Sequence, residues 1–349
     1  MGKLAVGIVG YGRIGNEHAR WIAGSRDCVV GGVFDPTPAR RAVAAESGWA
    51  TFDSLDGLLS DSRIEAVLIS TPTSMHHEHA LAAIAAGRHV MVEKPVALDL
   101  PQATEIRDAA ARAGVTLSVF QCRRWDVDYL TVCQAVAGGL LGRLVNVESR
   151  LGQFASCVGP AAREYRPGWR NEGAFGGGGL YDWGSHFVDQ LWQLLLPAKP
   201  VRVFAQLRGN VWTRDCDDFA RLVIDFDDGC VGLCEVNTTT ARPLPRWHLD
   251  GTGGSMSSPA SLAFDTRVWA ALRFTPATGG AETMVPMAAA GLSESAIWDR
   301  FAAACRGRGE PAVGIDSVLV TTALLDAARQ SSTSGKAVDF AFPLPPARP

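Results

Sequence analysis

The sequence predicts an α/β protein, with a doubly wound parallel sheet at its N-terminal end and an α+β region with an open, mostly antiparallel sheet behind it. Three observations carry the prediction. The first third of the chain alternates short β-branched runs with Ala-rich helical stretches. A glycine-rich turn joins the first run to the first helix. Beyond Gln121 the runs lengthen and alternate polar with apolar residues, as strands with one covered face do.

In order along the chain, strands are expected at Leu4–Val9, Val29–Phe34, Ala66–Ser70, His89–Val92 and Thr116–Phe120. Helices fill the gaps, near Ile14–Ala23, His76–Ala86 and Pro101–Ala113. Strand-helix alternation at this spacing gives a parallel sheet. A helix follows near Asp128–Ala137, then the runs Leu144–Phe154, Val201–Arg208, Ala220–Phe226 and Cys230–Asn237, with Asp227-Asp228-Gly229 as a hairpin turn between the last two. Two helices, Ser293–Cys305 and Ile315–Arg329, precede a Pro-rich surface tail, Pro343–Pro349. At 349 residues two cores are expected, so the chain divides into domains 1–121 and 122–349.

A formal charge of -3 gives neither a basic stripe for nucleic acid nor an acidic tail, and points to a small-molecule substrate. The eight cysteines form no C-x-x-C pair and no metal-ligand rhythm with histidine, so they read as reduced, mostly buried thiols and no metal is expected. No apolar run reaches the length of a membrane span, and the chain enters its first strand without a cleavable leader. A cytoplasmic protein is expected.

Gly10-Tyr11-Gly12-Arg13-Ile14-Gly15 follows an apolar strand and opens a helix, the context in which G-x-G-x-x-G cradles a pyrophosphate at a helix N-terminus. This is the mark of a Rossmann domain. Asp35 ends the second strand about 20 residues further on, where a carboxylate binds the adenosine ribose and repels a 2′-phosphate. NAD is therefore expected rather than NADP. Arg40 is counted with the cofactor because a nearby arginine accommodates that phosphate, although Arg40 and Arg41 better suit a solvated helix face.

Glu93-Lys94-Pro95 ends another parallel strand, where ligands bind in such sheets, and Pro95 is a place for a cis peptide. The only lysines are Lys3, Lys94, Lys199 and Lys336, in a chain that uses arginine nearly everywhere else. A lysine here suggests a compact ammonium that orients and polarises an alcohol oxygen. In the run Tyr181-Asp182-Trp183-Gly184-Ser185-His186, Asp182 and His186 fall one helical turn apart and Asp189 continues the same face. A carboxylate there would orient the imidazole as a proton acceptor, unless Asp182 is a helix cap and His186 a core residue.

With Thr71-Pro72 followed by His76, these motifs occur in the order that resembles the Gfo/Idh/MocA oxidoreductases, over nearly the whole chain. Arg123-Arg124-Trp125-Asp126, Trp169-Arg170 and the stretch from Pro245-Arg246-Trp247 to Ser255 resemble the branch containing scyllo-inositol dehydrogenases. The resemblance implies Lys94 and His186 as the catalytic pair with Asp182 beside them, and Thr71, Pro72, His76, Glu93, Trp169 and Arg170 against the cofactor. It also implies that the outer face of the second sheet builds a homodimer or homotetramer. One departure is that some NADP-using relatives carry Ser-Arg where this chain has Phe34-Asp35. Arg123, Arg124, Trp125 and Tyr181 complete the substrate side, with flat aromatic faces suited to sugar rings, although Arg123 or Arg124 equally suits a backbone-orienting salt bridge and tryptophans are common in cores and interfaces. The expected reaction is hydride exchange between nicotinamide and a secondary alcohol carbon of an inositol, sugar or sugar derivative. The alternatives are a biosynthetic keto-sugar reductase and a cofactor-bound sensor without turnover.

Overall fold

The computed structural model describes residues 2–157, 168–262 and 264–344. The first sheet has six parallel strands, β1 (Leu4–Val9), β2 (Cys28–Phe34), β3 (Thr51–Phe52), β4 (Ala66–Ile69), β5 (His89–Val92) and β6 (Leu117–Val119). Their order in space is β3-β2-β1-β4-β5-β6. The order turns back between β1 and β4, which opens a crevice at their carboxyl ends. The helices of this region are α1 (Arg13–Ala23), α2 (Pro38–Glu46), α3 (Leu55–Ser60), α4 (His76–Ala85) and α5 (Leu100–Ala113). Strands buried on both faces explain the unbroken apolar runs: all four residues of β4 are buried. The two-residue β3 was not foreseen, because so short a strand leaves no periodicity to read.

Beyond β6 come α6 (Val127–Ala137), β7 (Leu144–Gly152), α7 (Ser185–Leu194), β8 (Pro200–Arg208), β9 (Phe219–Phe226), β10 (Val231–Asn237), β11 (Trp247–Gly251), β12 (Gly254–Ser257), α8 (Thr266–Trp269), β13 (Arg273–Pro276), β14 (Thr283–Met284), α9 (Glu294–Cys305), α10 (Ile315–Ser334) and β15 (Val338–Asp339). The nine strands form one sheet in the order β14-β13-β12-β11-β7-β10-β9-β8-β15. Every pairing is antiparallel except β7 with β10. The expected hairpin joins β9 to β10, with Gly229 at φ +85° in the turn. Helices α7 and α10 cover the inner face, where Trp192 and Trp247 are fully buried. On β7 and β8, Val145, Val201 and Phe204 are left exposed.

The end of the chain returns to the first sheet. Ile297, Trp298, Phe301 and Ala302 of α9 share a core with Ile8, Ile22 and Val33, while Val318 and Leu319 of α10 join the opposite face. Helix α10 runs past the expected Arg329 to Ser334 and stops at Gly335, φ +68°. Of the Pro-rich end, residues 345–349 lie outside the described residues. No described helix is long and apolar enough to cross a membrane. All eight cysteines are unpaired; Cys28, Cys230 and Cys234 are buried and the others half-buried.

Candidate active site

The glycine-rich turn lies in the crevice between β1 and β4. Gly10 has φ +93°, and a Cβ there would stand 2.9 Å from the Ser70 main chain. A Cβ on Gly15 would come within 2.1 Å of the Gly10 carbonyl oxygen, so only glycine lets α1 lie this close to β1. Gly12 precedes α1 without a side-chain cap, which leaves the first N–H groups of the helix to other acceptors. Tyr11 contributes through its main chain, whose N–H donates to Asp35 Oδ2 at 2.7 Å; its ring packs in the core and does not line the crevice.

A cavity of about 700 Å³ runs from this turn to the second sheet. The first sheet contributes Gly10, Gly12, Arg13, Ile14, Asp35, Arg40, Thr71, Pro72, His76, Glu93 and Lys94. From beyond β6 come Arg123, Asp126, Trp169, Arg170, Asp182, Trp183, His186 and Phe264. The buried Asp35 also accepts the Thr37 N–H, and Arg40 Nη1 lies 3.5 Å from it. Arg40 and Arg41 are therefore not on a solvated face: Arg41 donates to the Asp35 carbonyl oxygen. His76 is buried between the carbonyls of Pro95 and Thr71, 2.9 Å from each, and ties the loop after β4 to the loop after β5. The Lys94–Pro95 peptide is cis.

Lys94 Nζ donates to the Asp182 carbonyl oxygen at 2.7 Å and lies 3.4 Å from Asp182 Oδ1. Burial pushes the ammonium below the ordinary lysine range, against the pull of Asp182. Burial alone would raise the Asp182 carboxyl, but Lys94 and Arg170 hold it below the usual carboxylate range.

The structure corrects the role expected for Asp182. Leu180–Gly184 is a π-helical turn, so Asp182 and His186 do not stack as they would on an α-helix. Asp182 turns to Lys94, and Asp189 forms a buried bidentate pair with Arg124 at 2.7 Å. His186 is held instead by Gln121, whose Oε1 lies 2.7 Å from Nδ1 and whose Nε2 donates to the Ser185 carbonyl oxygen. With Oε1 facing the ring, Nδ1 carries the proton and Nε2 keeps its lone pair. Nε2 has no hydrogen-bond partner among the described residues. Burial first, then the charges of Lys94, Arg123 and Arg246, push His186 well below its ordinary value, so the imidazole is neutral.

Three expected substrate contacts are not on the wall of the large cavity, although Tyr181 lines a small pocket with Lys94, Asp182, Trp169 and Arg170. Arg124 is spent on Asp189 and Ser317. Trp125 packs beneath Gly291 in the core of the first sheet. Tyr181 donates to the Leu98 carbonyl under the Arg329 guanidinium. None of the three lines the large cavity. Arg123 does, stacked 4.2 Å from the Phe264 ring centre and 4.9 Å from that of Trp183, with Asp126 Oδ2 2.9 Å from Nη1. Burial, opposed by Arg123 and reinforced by Asp128, pushes the Asp126 carboxyl up to about 6. Arg170 stacks 4.3 Å over Trp169.

Sequence reasoning missed Gln121, His18 and Phe264. Gln121 stands just beyond β6, and the strand-end rule that singled out Glu93 and Lys94 applies to it equally. Nothing local marks Phe264 or His18. Among the described residues no group of three or more His, Cys, Asp or Glu side chains is placed to hold a metal ion.

Residues 4–121 match the family model described as an oxidoreductase family with an NAD-binding Rossmann fold, and residues 129–257 match the GFO/IDH/MocA C-terminal domain. A scyllo-inositol 2-dehydrogenase (NADP(+)) of Bacillus subtilis is 31% identical over 172 residues, 49% of this chain and 46% of that protein. A 1,5-anhydro-D-fructose reductase of Ensifer adhaerens is 29% identical over 89% of this chain and 91% of that one. The chain spans 46% to 60% of the length of the curated relatives it matches first. An NAD-binding protein from Listeria innocua has a crystal structure that superposes with a TM-score of 0.86 over 97% of both chains, at 29% identity.

Proposed function

We propose that this chain, which belongs to the Gfo/Idh/MocA family of NAD-binding oxidoreductases, is a dehydrogenase acting on a secondary alcohol of an inositol, sugar or sugar derivative. The observation that carries the reading is a neutral His186 with a free Nε2 and the buried ammonium of Lys94 on the walls of one cavity, which also contains the glycine turn.

The cavity fits a dinucleotide. A Cβ on Gly12 would meet only Arg40 Nη1, at 3.7 Å, so the main chain there is open to a pyrophosphate at the uncapped start of α1. The Asp35 carboxylate lines the same cavity where it would meet the ribose, which favours NAD over NADP. Bound NAD supplies a hydride acceptor. His186 Nε2 takes the hydroxyl proton, and Gln121 fixes the tautomer that makes this possible. Lys94 binds the alcohol oxygen and stabilises the charge developing on it. Asp182 holds Lys94 in place and keeps it protonated. Trp169, Trp183 and Phe264 offer flat faces to a sugar ring, and Arg123, packed over the contacting rings of Trp183 and Phe264, is placed to meet its hydroxyls. In this reading residues 1–121 bind the cofactor, and residues 122–349 bind substrate and assemble a dimer or tetramer through the outer sheet face.

The test is NADH formation by the purified protein with NAD or NADP and a panel of inositols, free sugars, glycosides and sugar acids. Turnover with NAD and one polyol class supports the reading. The match to a sugar reductase over nine-tenths of its length favours keto-sugar reduction as the second reading. Silence across the panel together with NADH consumption on keto-sugars would establish that direction instead.

A further inference from the structure

His18 belongs to none of the motifs that mark the site, yet it is completely buried against it. It sits on α1, between the glycine turn and the domain core. The rings of Phe120, Trp21 and Trp298 surround it edge-on, with centroids 4.3, 4.8 and 5.6 Å away. Two hydrogen bonds fix the imidazole. Trp298 Nε1, which can only donate, lies 3.2 Å from Nδ1, so Nδ1 must present its lone pair. The proton is then on Nε2, 2.8 Å from Glu93 Oε1. The second carboxylate oxygen, Oε2, accepts the Lys94 main-chain N–H at 3.0 Å.

Trp298, His18 and Glu93 thus form a directed chain of donors ending on a carboxylate in the cavity wall, one residue from Lys94. The chain links α9, at the far end of the sequence, to the loop that carries the ammonium. We propose that His18 is a positioning residue: it holds Glu93 in a single, ionised state, and through Glu93 it fixes the main chain of Lys94 at the cofactor cavity. This inference rests on the dehydrogenase reading for its meaning in turnover, but not for its test.

Glu93 is deeply buried, and burial alone would push its carboxyl up. The His18 hydrogen bond comes first among the effects that oppose burial, ahead of the charge His18 carries when protonated, the charge of Lys94 and the Lys94 main-chain N–H, and together they hold the carboxyl below the usual carboxylate range. Besides these two, the titratable groups that face Glu93 are His76 from α4 and Cys122 from the turn after β6. Both ring nitrogens of His76 face the Pro95 and Thr71 carbonyl oxygens, and among the described residues the Glu93 carboxylate oxygens are bonded to His18 and the Lys94 N–H and not to Cys122, so neither replaces the His18 donor. Removing that donor exposes Glu93 to the burial effect, and its carboxyl titrates at higher pH.

Two measurements test the proposal without relying on turnover. Nitrogen NMR of the histidine-labelled whole protein should show His18 as a neutral Nε2–H tautomer, and Trp298→Phe should mix the two tautomers. A predominant Nδ1–H form in the unaltered protein would overturn the proposal. NADH affinity, followed by fluorescence, should be level from about pH 8 down to about pH 5.5 in the unaltered protein. In His18→Phe it should fall by about tenfold or more over the same range, the scale of a lost charge-assisted hydrogen bond. His18→Gln, whose amide N–H can still reach the carboxylate, should restore most of the level profile. Level profiles in all three proteins would refute the role of His18, whereas a polyol panel without turnover bears only on the dehydrogenase reading. Should His18→Phe fail to fold, the tautomer measurement and Trp298→Phe still decide.

Discussion

Gln121 gives the sharpest test of how the proposed base works. Its Oε1 lies 2.7 Å from His186 Nδ1, inside a wall where Gln121 is almost wholly buried. Gln121→Leu keeps the volume and removes the acceptor, leaving a buried N–H without a partner or allowing the ring to adopt the other tautomer. The cost of such an orphaned donor is about 1–3 kcal/mol, so kcat/KM should fall roughly 5- to 150-fold while NADH affinity hardly moves. Gln121→Glu asks a different question. His186 titrates well below its ordinary value of 6.5, and the base works only when neutral. In the unaltered protein the titration of His186 should therefore limit the rate only in strongly acid solution. A carboxylate at Gln121 would favour the imidazolium by about 1–3 pH units, the usual effect of an opposite charge at this range. The acid limb of the kcat/KM profile should move up by that amount, with activity recovered at alkaline pH. The assay is initial rate against pH with a substrate found in the panel. Superimposable acid limbs in Gln121→Glu and the unaltered protein would refute His186 as the titrating base.

Lys94→Met should lower kcat by about two to three orders of magnitude with little change in NADH binding, because it removes the charge that stabilises the developing alkoxide. Lys94→Arg should not rescue it, since a planar guanidinium cannot replace a compact ammonium buried against Asp182; steady-state kinetics with binding by fluorescence checks both. Asp35→Ser should weaken NAD by about tenfold and improve NADP, because it removes the carboxylate that repels a 2′-phosphate beside Arg40, and the ratio of kcat/KM for the two cofactors measures it. Phe301→Ala should cost about 3–5 kcal/mol in urea unfolding, because this α9 side chain is fully buried in the core of the first sheet.

The sequence by itself determined the elements and most of the cavity wall. Residues that must sit at fixed positions on one strand end or one turn leave a local trace: the glycines of the first turn, Asp35 at the end of β2, and Glu93, Lys94 and Pro95 after β5. Periodicity also separated the parallel sheet from the antiparallel one, because strands covered on two faces and on one face use different residue patterns. Partnership between distant residues had no such trace. On one continuous α-helix Asp182, His186 and Asp189 would form a stack, but a π turn at Leu180–Gly184 takes Asp182 to Lys94, and Asp189, although on α7 with His186, is claimed by the buried Arg124. Arg124, Trp125 and Tyr181 share motifs with lining residues yet face into the protein, since neighbours in sequence point in different directions on a helical turn. Gln121 and His186 meet across 65 positions, and His18 and Trp298 across 280. Only tertiary packing, of α9 beside α1 on the first sheet and of α7 against the end of β6, brings such groups to hydrogen-bond distance. Hydrogen-bond direction and burial then set the protonation state of His186, and both are properties of the assembled tertiary structure.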